Sequence, residues 1–274
     1  MISEYHAPAT VEDAVALKER LADSAVYLAG GTEVNSAAFS GVPEHVISLE
    51  RLGLTGIRSA GAELTIGACC TIQEIIASAE VPECIREAGQ HVVNRNIRNL
   101  ATIGGQLGSN KSCGNLLPML IVLEAVVEVA SRGATEAIPA IEYVAGERKE
   151  LILRVRIPKH DRSRSVAVEK YARTANDLSV VTAGVSVARD GELIDRPLIA
   201  AGGVAEHVIR LEAVERALHG LPLPSREAIE ELVGRNVSPI ADIRGGVEFR
   251  RHLAGVLVAK ALHRAYQGAG GERR

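Results

Sequence analysis

Apolar residues at Val11, Ala14, Val15, Leu17 and Leu21 recur at helical spacing, and they predict a first helix with Thr10 as its N-cap and Asp13 three residues on. Ala25-Val26-Tyr27-Leu28 predicts a short buried strand that runs straight into Ala29-Gly30-Gly31-Thr32. A second strand is predicted at His45 to Leu49, so that helix, strand, glycine turn and strand form a small α/β unit. Farther on, Leu64 to Ala68 reads as a strand. Thr71 is placed to cap a helix over Ile72 to Ala79, and Pro82 to open the next one. Asn94 to Asn110, rich in Asn, Gly and Ser, reads as a long loop. A helix beginning near Asn115 would carry Leu116, Leu117, Leu120 and Leu123. Strands follow at Val126 to Ala130 and at Glu150 to Ile157. The second alternates, with Leu151, Leu153, Val155 and Ile157 on one face and Ile152, Arg154 and Arg156 on the other, and Pro158 ends it.

The pattern changes after a polar stretch, Lys159 to Ser165, that reads as a linker. Val180 to Ala188, a turn at Asp190-Gly191 and Leu198 to Ala201 predict an antiparallel meander. Helices then dominate. Glu206 to Leu218 is expected to be partly helical. A helix up to Val233 would be capped by Ser225, and a last one would run from Glu248 to Tyr266. The tail from Gly268 reads as disordered.

Composition narrows the classes. The 274 residues are 47% hydrophobic, enough for one large domain or two moderate ones. A net charge of −3 without a long basic block argues against nucleic acid as the main ligand. The best apolar run, Leu116 to Val129, contains Pro118, Glu124 and Glu128 and is too short and too charged for a membrane span. The N-terminus carries no secretory pattern, and a cytoplasmic location is expected. The cysteines, Cys69, Cys70, Cys84 and Cys113, form no Cys-x-x-Cys pair and read as ordinary reduced thiols. None of the eight histidines sits in a metal-ligand spacing, and no metal site is expected. Aromatic residues make up only 3% and tryptophan is missing, so a planar ligand would have to rest on backbone and aliphatic groups.

Two glycine segments carry the candidate chemistry. In Ala29-Gly30-Gly31-Thr32-Glu33-Val34-Asn35, successive N–H groups of a tight turn can form a nest for phosphate oxygens. A ligand-free strand-to-helix turn would look the same. The spacing is neither a P-loop nor Gly-x-Gly-x-x-Gly. The second segment, Asn96 to Asn110, gathers glycines, amides and hydroxyls around Thr102-Ile103-Gly104-Gly105-Gln106, with Ile97, Leu100, Ile103 and Leu107 arguing that it is packed. The two lie about seventy residues apart and suggest a diphosphate clamped between subdomains.

Tyr27-Leu28-Ala29-Gly30-Gly31-Thr32-Glu33, followed by Ile97-Arg98-Asn99-Leu100-Ala101-Thr102-Ile103-Gly104-Gly105, resembles the FAD-binding medium subunit of the xanthine dehydrogenase family of molybdenum hydroxylases. The segment Asp242 to Leu257 is similar to that family's C-terminal domain. The resemblance implies an α+β chain. It would comprise a vanillyl-alcohol-oxidase-type (PCMH-type) FAD-binding domain over 1–160, built of α/β subdomains at about 1–54 and 55–160. A C-terminal α+β domain over 166–267, with a small antiparallel sheet and helices, would resemble that of the carbon monoxide dehydrogenase flavoprotein.

It also implies roles. Leu28, Ala29, Gly30, Gly31, Thr32, Glu33, Val34 and Asn35 would hold the pyrophosphate. Thr102, Ile103, Gly104 and Gly105 would contact the diphosphate and ribityl chain, and Ile152 and Lys170 would lie near the flavin ring. Gln106 stands where the family usually has Asn, and Asn115 where it usually has Asp, with Lys111 able to meet phosphate or point to water. The implied function is electron transfer from the [2Fe–2S] clusters of a small subunit, through FAD, to NAD⁺ or another acceptor. Substrate would be hydroxylated on a molybdopterin-containing large subunit. No catalytic acid or base is required of this chain. A flavin-free scaffold subunit and a stand-alone flavin reductase of the same fold are the alternatives.

Overall fold

A computed structural model describes residues 2–36, 43–146, 148–159 and 163–269. The first unit comprises β1 (Glu4–His6), α1 (Val11–Leu21), β2 (Ala25–Leu28) and β3 (His45–Ser48). Its sheet has the order β1-β3-β2 and is parallel throughout. Thr10 caps α1 as its sequence suggests, its hydroxyl accepting from the Asp13 N–H at 3.1 Å. Glu12 and Asp13 in the first turn and Lys18 and Arg20 in the last complement the helix dipole. Ala14 and Val15 bury against Ala25, Ile47 and Leu49, and against Ala130 and Leu151 of the next unit.

The second unit adds β4 (Ile57–Ala60), β5 (Glu63–Gly67), α2 (Ile72–Ala77), α3 (Glu83–Gln90), α4 (Arg95–Arg98), α5 (Ile103–Ser109) and α6 (Leu117–Val122). It ends with β6 (Val126–Ser131), β7 (Ala134–Pro139), α7 (Ala140–Ala145) and β8 (Leu151–Pro158). Five antiparallel strands run in the order β4-β5-β8-β6-β7. Leu64, Ile66, Val127 and Val155 of the sheet share one core with Ile72, Ile85, Leu107 and the wholly buried α6. Thr71 and Glu74 close a reciprocal capping box at the start of α2.

Two expectations change here. The stretch 94–110 is not a long loop but two short capped helices, α4 and α5. Asn94 Oδ1 accepts from the Ile97 N–H and Thr102 Oγ1 from the Gly105 N–H, both at 3.0 Å. Glycines are poor helix formers, but close packing wins at this place: a Cβ on Gly104 would sit 2.7 Å from the Ala68 carbonyl oxygen. The second change is in β8. Its pairing with β6 shifts register between Glu128↔Arg154 and Val129↔Ile152, leaving Leu153 as the extra residue. The bulge breaks the strict alternation, and Ile152, which alternation assigned to the arginine face, is buried.

The third unit contains β9 (Ser165–Tyr171), β10 (Val181–Asp190), β11 (Leu193–Gly202), β12 (Ile209–Arg210), α8 (Glu212–Leu218), α9 (Arg226–Gly234) and α10 (Val247–Gly268). The antiparallel sheet, ordered β12-β11-β10-β9, is the expected meander with longer strands and an added one on each side. Ser225 caps α9, accepting from the Ala228 N–H. Buried Arg250 on α10 ties the unit together: it donates to the Val180 and Gly203 carbonyls and pairs with Asp242 at 2.6 Å. Residues 160–162 of the expected linker and 270–274 of the tail lie outside the described residues. Among the described residues no helix is long and apolar enough to cross a membrane.

Candidate functional site

Strand β2 delivers the first glycine segment to the C-terminal end of the parallel sheet, where Leu28 is pinned by the Leu49 N–H at 2.9 Å. The chain then turns through Gly31, whose φ of +70° lies in the left-handed region that glycine enters without strain. The turn closes with the Asn35 N–H donating to the Gly31 carbonyl at 3.0 Å. Between these bonds, the N–H groups of residues 29–34 donate to no protein acceptor among the described residues.

These residues form one wall of a cleft of about 380 Å³ between the first and second units. That volume falls within the range of small-molecule sites, about 300–1,000 Å³. Thr102, Gly104, Gly105, Gln106 and Gly108 form the facing wall, and Leu151 and Ile152 from the bulged end of β8 contribute apolar surface. The two glycine segments touch directly, since a Cβ on Gly30 would lie 1.6 Å from the Leu100 carbonyl oxygen.

The two walls differ chemically. The amides that open α5 are already occupied. Ile103 N–H donates to Cys70, Gly104 N–H to Ala68, and the N–H groups of Gly105 and Gln106 to the Thr102 hydroxyl and carbonyl. What this wall offers is a smooth surface, the Gln106 side-chain carboxamide and the Thr102 hydroxyl proton, which is not used in accepting from Gly105. A Cβ at Gly108 would meet only Ile152 Cδ1, at 3.8 Å, so the wall is hollow there. Amides at 29–34 with no acceptor among the described residues, set across from a hollow, partly apolar wall, fit an elongated ligand with a diphosphate and a flat ring, as FAD has.

Among the residues singled out from the sequence, Ala29 to Val34, Thr102, Gly104, Gly105, Gln106 and Ile152 line this cleft. Leu28, Asn35 and Ile103 do not line it and act from behind: Leu28 ends β2, Asn35 closes the turn, and Ile103 is fully buried. Asn115 and Lys170 are elsewhere, and they converge on the His91 carbonyl, Asn115 Nδ2 at 2.9 Å and Lys170 Nζ at 2.8 Å. Asn115 is 3% exposed, and its Oδ1 accepts from the Ser179 and Thr182 hydroxyls. It therefore joins the second unit to the third. Lys170 also donates to the Asp177 carbonyl at 2.9 Å, and burial pulls its pKa below the ordinary lysine value, with Asp177 opposing.

Lys111 does not line the cleft; its partly exposed side chain places Nζ 2.5 Å from Glu33 Oε1. Other charged groups at the cleft were not legible in the sequence, because no motif links them. Lys149 Nζ reaches Asp23 at 2.7 Å and Arg148 reaches Glu150 at 3.3 Å. Hydrogen bonding from Lys149 holds the Asp23 carboxyl below its usual range. Lys18 donates to the Ala22 and Ala25 carbonyls, and its pKa is lowered first by burial. Tyr143, which also lines the cleft, is pushed above the ordinary phenol range by burial.

Residues 1–160 match the family described as the FAD binding domain in molybdopterin dehydrogenase. Residues 166–265 match the carbon monoxide dehydrogenase flavoprotein C-terminal domain. The chain is 34% identical to the uncharacterised protein YgfM of Escherichia coli K12, over 99% of both chains. It is 31% identical to the carbon monoxide dehydrogenase medium chain of Afipia carboxidovorans, over 96% of both. A solved carbon monoxide dehydrogenase from Hydrogenophaga pseudoflava, lacking the Mo-pyranopterin moiety of its cofactor, superposes with a TM-score of 0.91. It covers 98% of this chain and 99% of its own, at 28% identity.

Proposed function

The chain belongs to the family of FAD-binding subunits of molybdopterin dehydrogenases, and from that premise we propose that it is the electron-transfer subunit of a multi-subunit molybdenum hydroxylase. The fold is the PCMH-type FAD-binding fold with the family's C-terminal domain, and the chain is a flavoprotein subunit of an oxidoreductase. In our reading the FAD-binding domain spans 1–160, with subdomains at about 1–54 and 55–160, and the C-terminal domain spans 166–267. The partners are a small subunit carrying [2Fe–2S] clusters and a large subunit carrying molybdopterin, assembled in the cytoplasm.

The observation that carries the reading is the run of amides at 29–34 that have no protein acceptor among the described residues and face a glycine-lined cleft. Those N–H groups would hold the diphosphate. Thr102 would donate its hydroxyl proton to the same ligand, and Gly105 and Gly108 would leave room for it. Leu151 and Ile152 would exclude water from the apolar end. Bound FAD supplies exchange between one-electron and two-electron carriers. Lys170, held by the His91 and Asp177 carbonyls and outside the cleft lining, would act on the ring only as a charge at a distance, a role that rests on the family resemblance. NAD⁺ or another acceptor would take the electrons in pairs. The flavin-free scaffold reading is disfavoured by amides at 29–34 that meet no acceptor among the described residues, and the stand-alone reductase reading by the family's C-terminal domain.

The first experiment is to purify the chain, record its visible spectrum and identify what denaturation releases. Oxidised-flavin bands with released FAD support the reading. A colourless protein that takes up no FAD, alone or with its partner subunits, overturns it. Reconstitution with the partner subunits then tests electron transfer, using NAD⁺ and an artificial acceptor in parallel.

A further inference from the structure

Two neighbouring side chains of β1 and one from the distant β3 are brought together at the far edge of the first unit. On β1, Glu4 and His6 are two residues apart and so project from the same face. The parallel pairing of β1 with β3 sets Glu4 opposite His45. The result is a compact triad: His6 Nε2 to His45 Nδ1 is 3.2 Å, and Glu4 Oε2 is 3.5 Å from each of those nitrogens. The histidine side chains are mostly covered, at 20% and 17% exposure, while the Glu4 side chain is 61% exposed.

We propose that Glu4, His6 and His45 form a divalent transition-metal site, with two imidazole nitrogens and one carboxylate oxygen as ligands and a fourth position open to water. The distances decide the chemistry. A tetrahedral Zn²⁺ with bonds of about 2.0–2.1 Å holds its ligand atoms about 3.3–3.4 Å apart. The three observed separations, 3.2, 3.5 and 3.5 Å, bracket that edge, so an ion could enter with little movement. Ca²⁺ and Mg²⁺ prefer all-oxygen sites, and two imidazoles with one carboxylate suit zinc and its neighbours. Two well-covered histidines give the site rigidity, and the exposed carboxylate marks the side from which the ion enters.

The site is separate from the cleft. The glycine turn leaves the C-terminal end of β2, whereas Glu4 and His45 pair across the N-terminal ends of β1 and β3, and β1 lies on the opposite sheet edge from β2. A bound ion would staple the three-residue edge strand to the sheet. The expected consequence is stabilisation that grows with ion concentration.

The test uses the full chain, stripped with a chelator and with its thiols alkylated, and titrated with Zn²⁺ against a chromophoric competitor. The expected result is one equivalent bound per chain and a melting temperature raised by Zn²⁺. Both effects should be lost in His6→Gln and weakened in Glu4→Gln, with unchanged FAD content showing that each variant is folded. Glu4→Gln guards against misfolding, since its side chain is largely in solvent. A chain that binds no Zn²⁺ in the micromolar range, or binds it equally in both variants, overturns the proposal and leaves a plain histidine–histidine hydrogen bond.

Discussion

Gly30 and Leu100 meet so closely that a Cβ on Gly30 would lie 1.6 Å from the Leu100 carbonyl oxygen. The opposing atom is backbone, so no rotamer change can relieve the overlap. Gly30→Ala must push the first and second units apart, and with them the two walls of the cleft. Overpacking of this kind costs about 1–3 kcal/mol, and more where the backbone itself must move. We expect at least the upper end of that range in denaturant unfolding, together with loss of FAD. A variant that keeps full stability and full FAD content would show that the walls do not meet here.

Gly108 gives the opposite expectation. Its added Cβ would touch only Ile152 Cδ1 at 3.8 Å, in the hollow of the cleft. Alanine also favours a helix over glycine by up to about 1 kcal/mol. Gly108→Ala should therefore leave the melting temperature of the FAD-free chain unchanged or raised, while weakening FAD binding measured by fluorescence titration. Unaltered affinity would mean that the cofactor does not occupy the space between Gly108 and Ile152.

The Glu33–Lys111 pair spans the same two units, and Glu33 lines the cleft. Both side chains are about one-third exposed, so the pair itself contributes no more than about 1 kcal/mol to stability. Its larger effect should be on an anionic ligand, because Lys111 neutralises a carboxylate beside the amides of 29–34. Lys111→Ala is expected to weaken FAD binding with little change in unfolding free energy, and the loss should shrink in high salt. Glu33→Gln combined with Lys111→Ala should restore most of the affinity. If Lys111→Ala binds FAD as tightly as the parent, the charge at Glu33 is not felt by the diphosphate.

The sequence showed the local devices and missed the tertiary ones. Thr10, Thr71 and Ser225 are caps because a hydroxyl before an apolar-periodic run has one local use, and all three serve it. The glycine segments were legible as chain features, since glycine pairs beside a strand restrict what the backbone can be doing. The helicity of 103–109 was not legible, because the close approach of Gly104 to Ala68 is set by residues thirty-six positions away. Nor was the bulge that turns Ile152 inward, which depends on register against β6. His6 and His45 read as isolated histidines until the β1–β3 pairing placed them in contact. The charged groups at the cleft, Lys18, Asp23, Arg148 and Lys149, share no spacing that a single sequence could reveal.

Asn115 separates a structural role from a cofactor role. Its amide serves the His91 carbonyl and the hydroxyls of Ser179 and Thr182, which are 1% and 0% exposed. Asn115→Ala leaves two buried hydroxyls without that acceptor, while Lys170 still donates to His91. The expected cost is about 2 kcal/mol of unfolding free energy, from buried polar groups that lose a partner. FAD affinity should change much less. Loss of FAD with stability intact would assign Asn115 to the cofactor instead.

The thiols offer a pH test with a definite sign. Burial pushes both Cys69 and Cys84 up to about 11. Thiolate is the reactive form, so both should resist iodoacetamide at pH 8 and label faster as pH approaches 11. In the unfolded chain they ionise near 8.5. Between that value and 11 the folded state keeps protons that the unfolded state has released, so stability must fall as pH rises through this window. Lys18 and Lys170 act in the opposite direction, because their folded pKa values are lowered and their burden eases as pH rises. The thiol contribution is therefore isolated by comparing the parent with Cys69→Ser/Cys84→Ser in denaturant unfolding at pH 8 and pH 10.5. The parent should lose more stability between the two conditions than the double variant. Equal losses, or rapid labelling of either cysteine in the folded protein at pH 8, would show that these thiols are not held protonated by the fold.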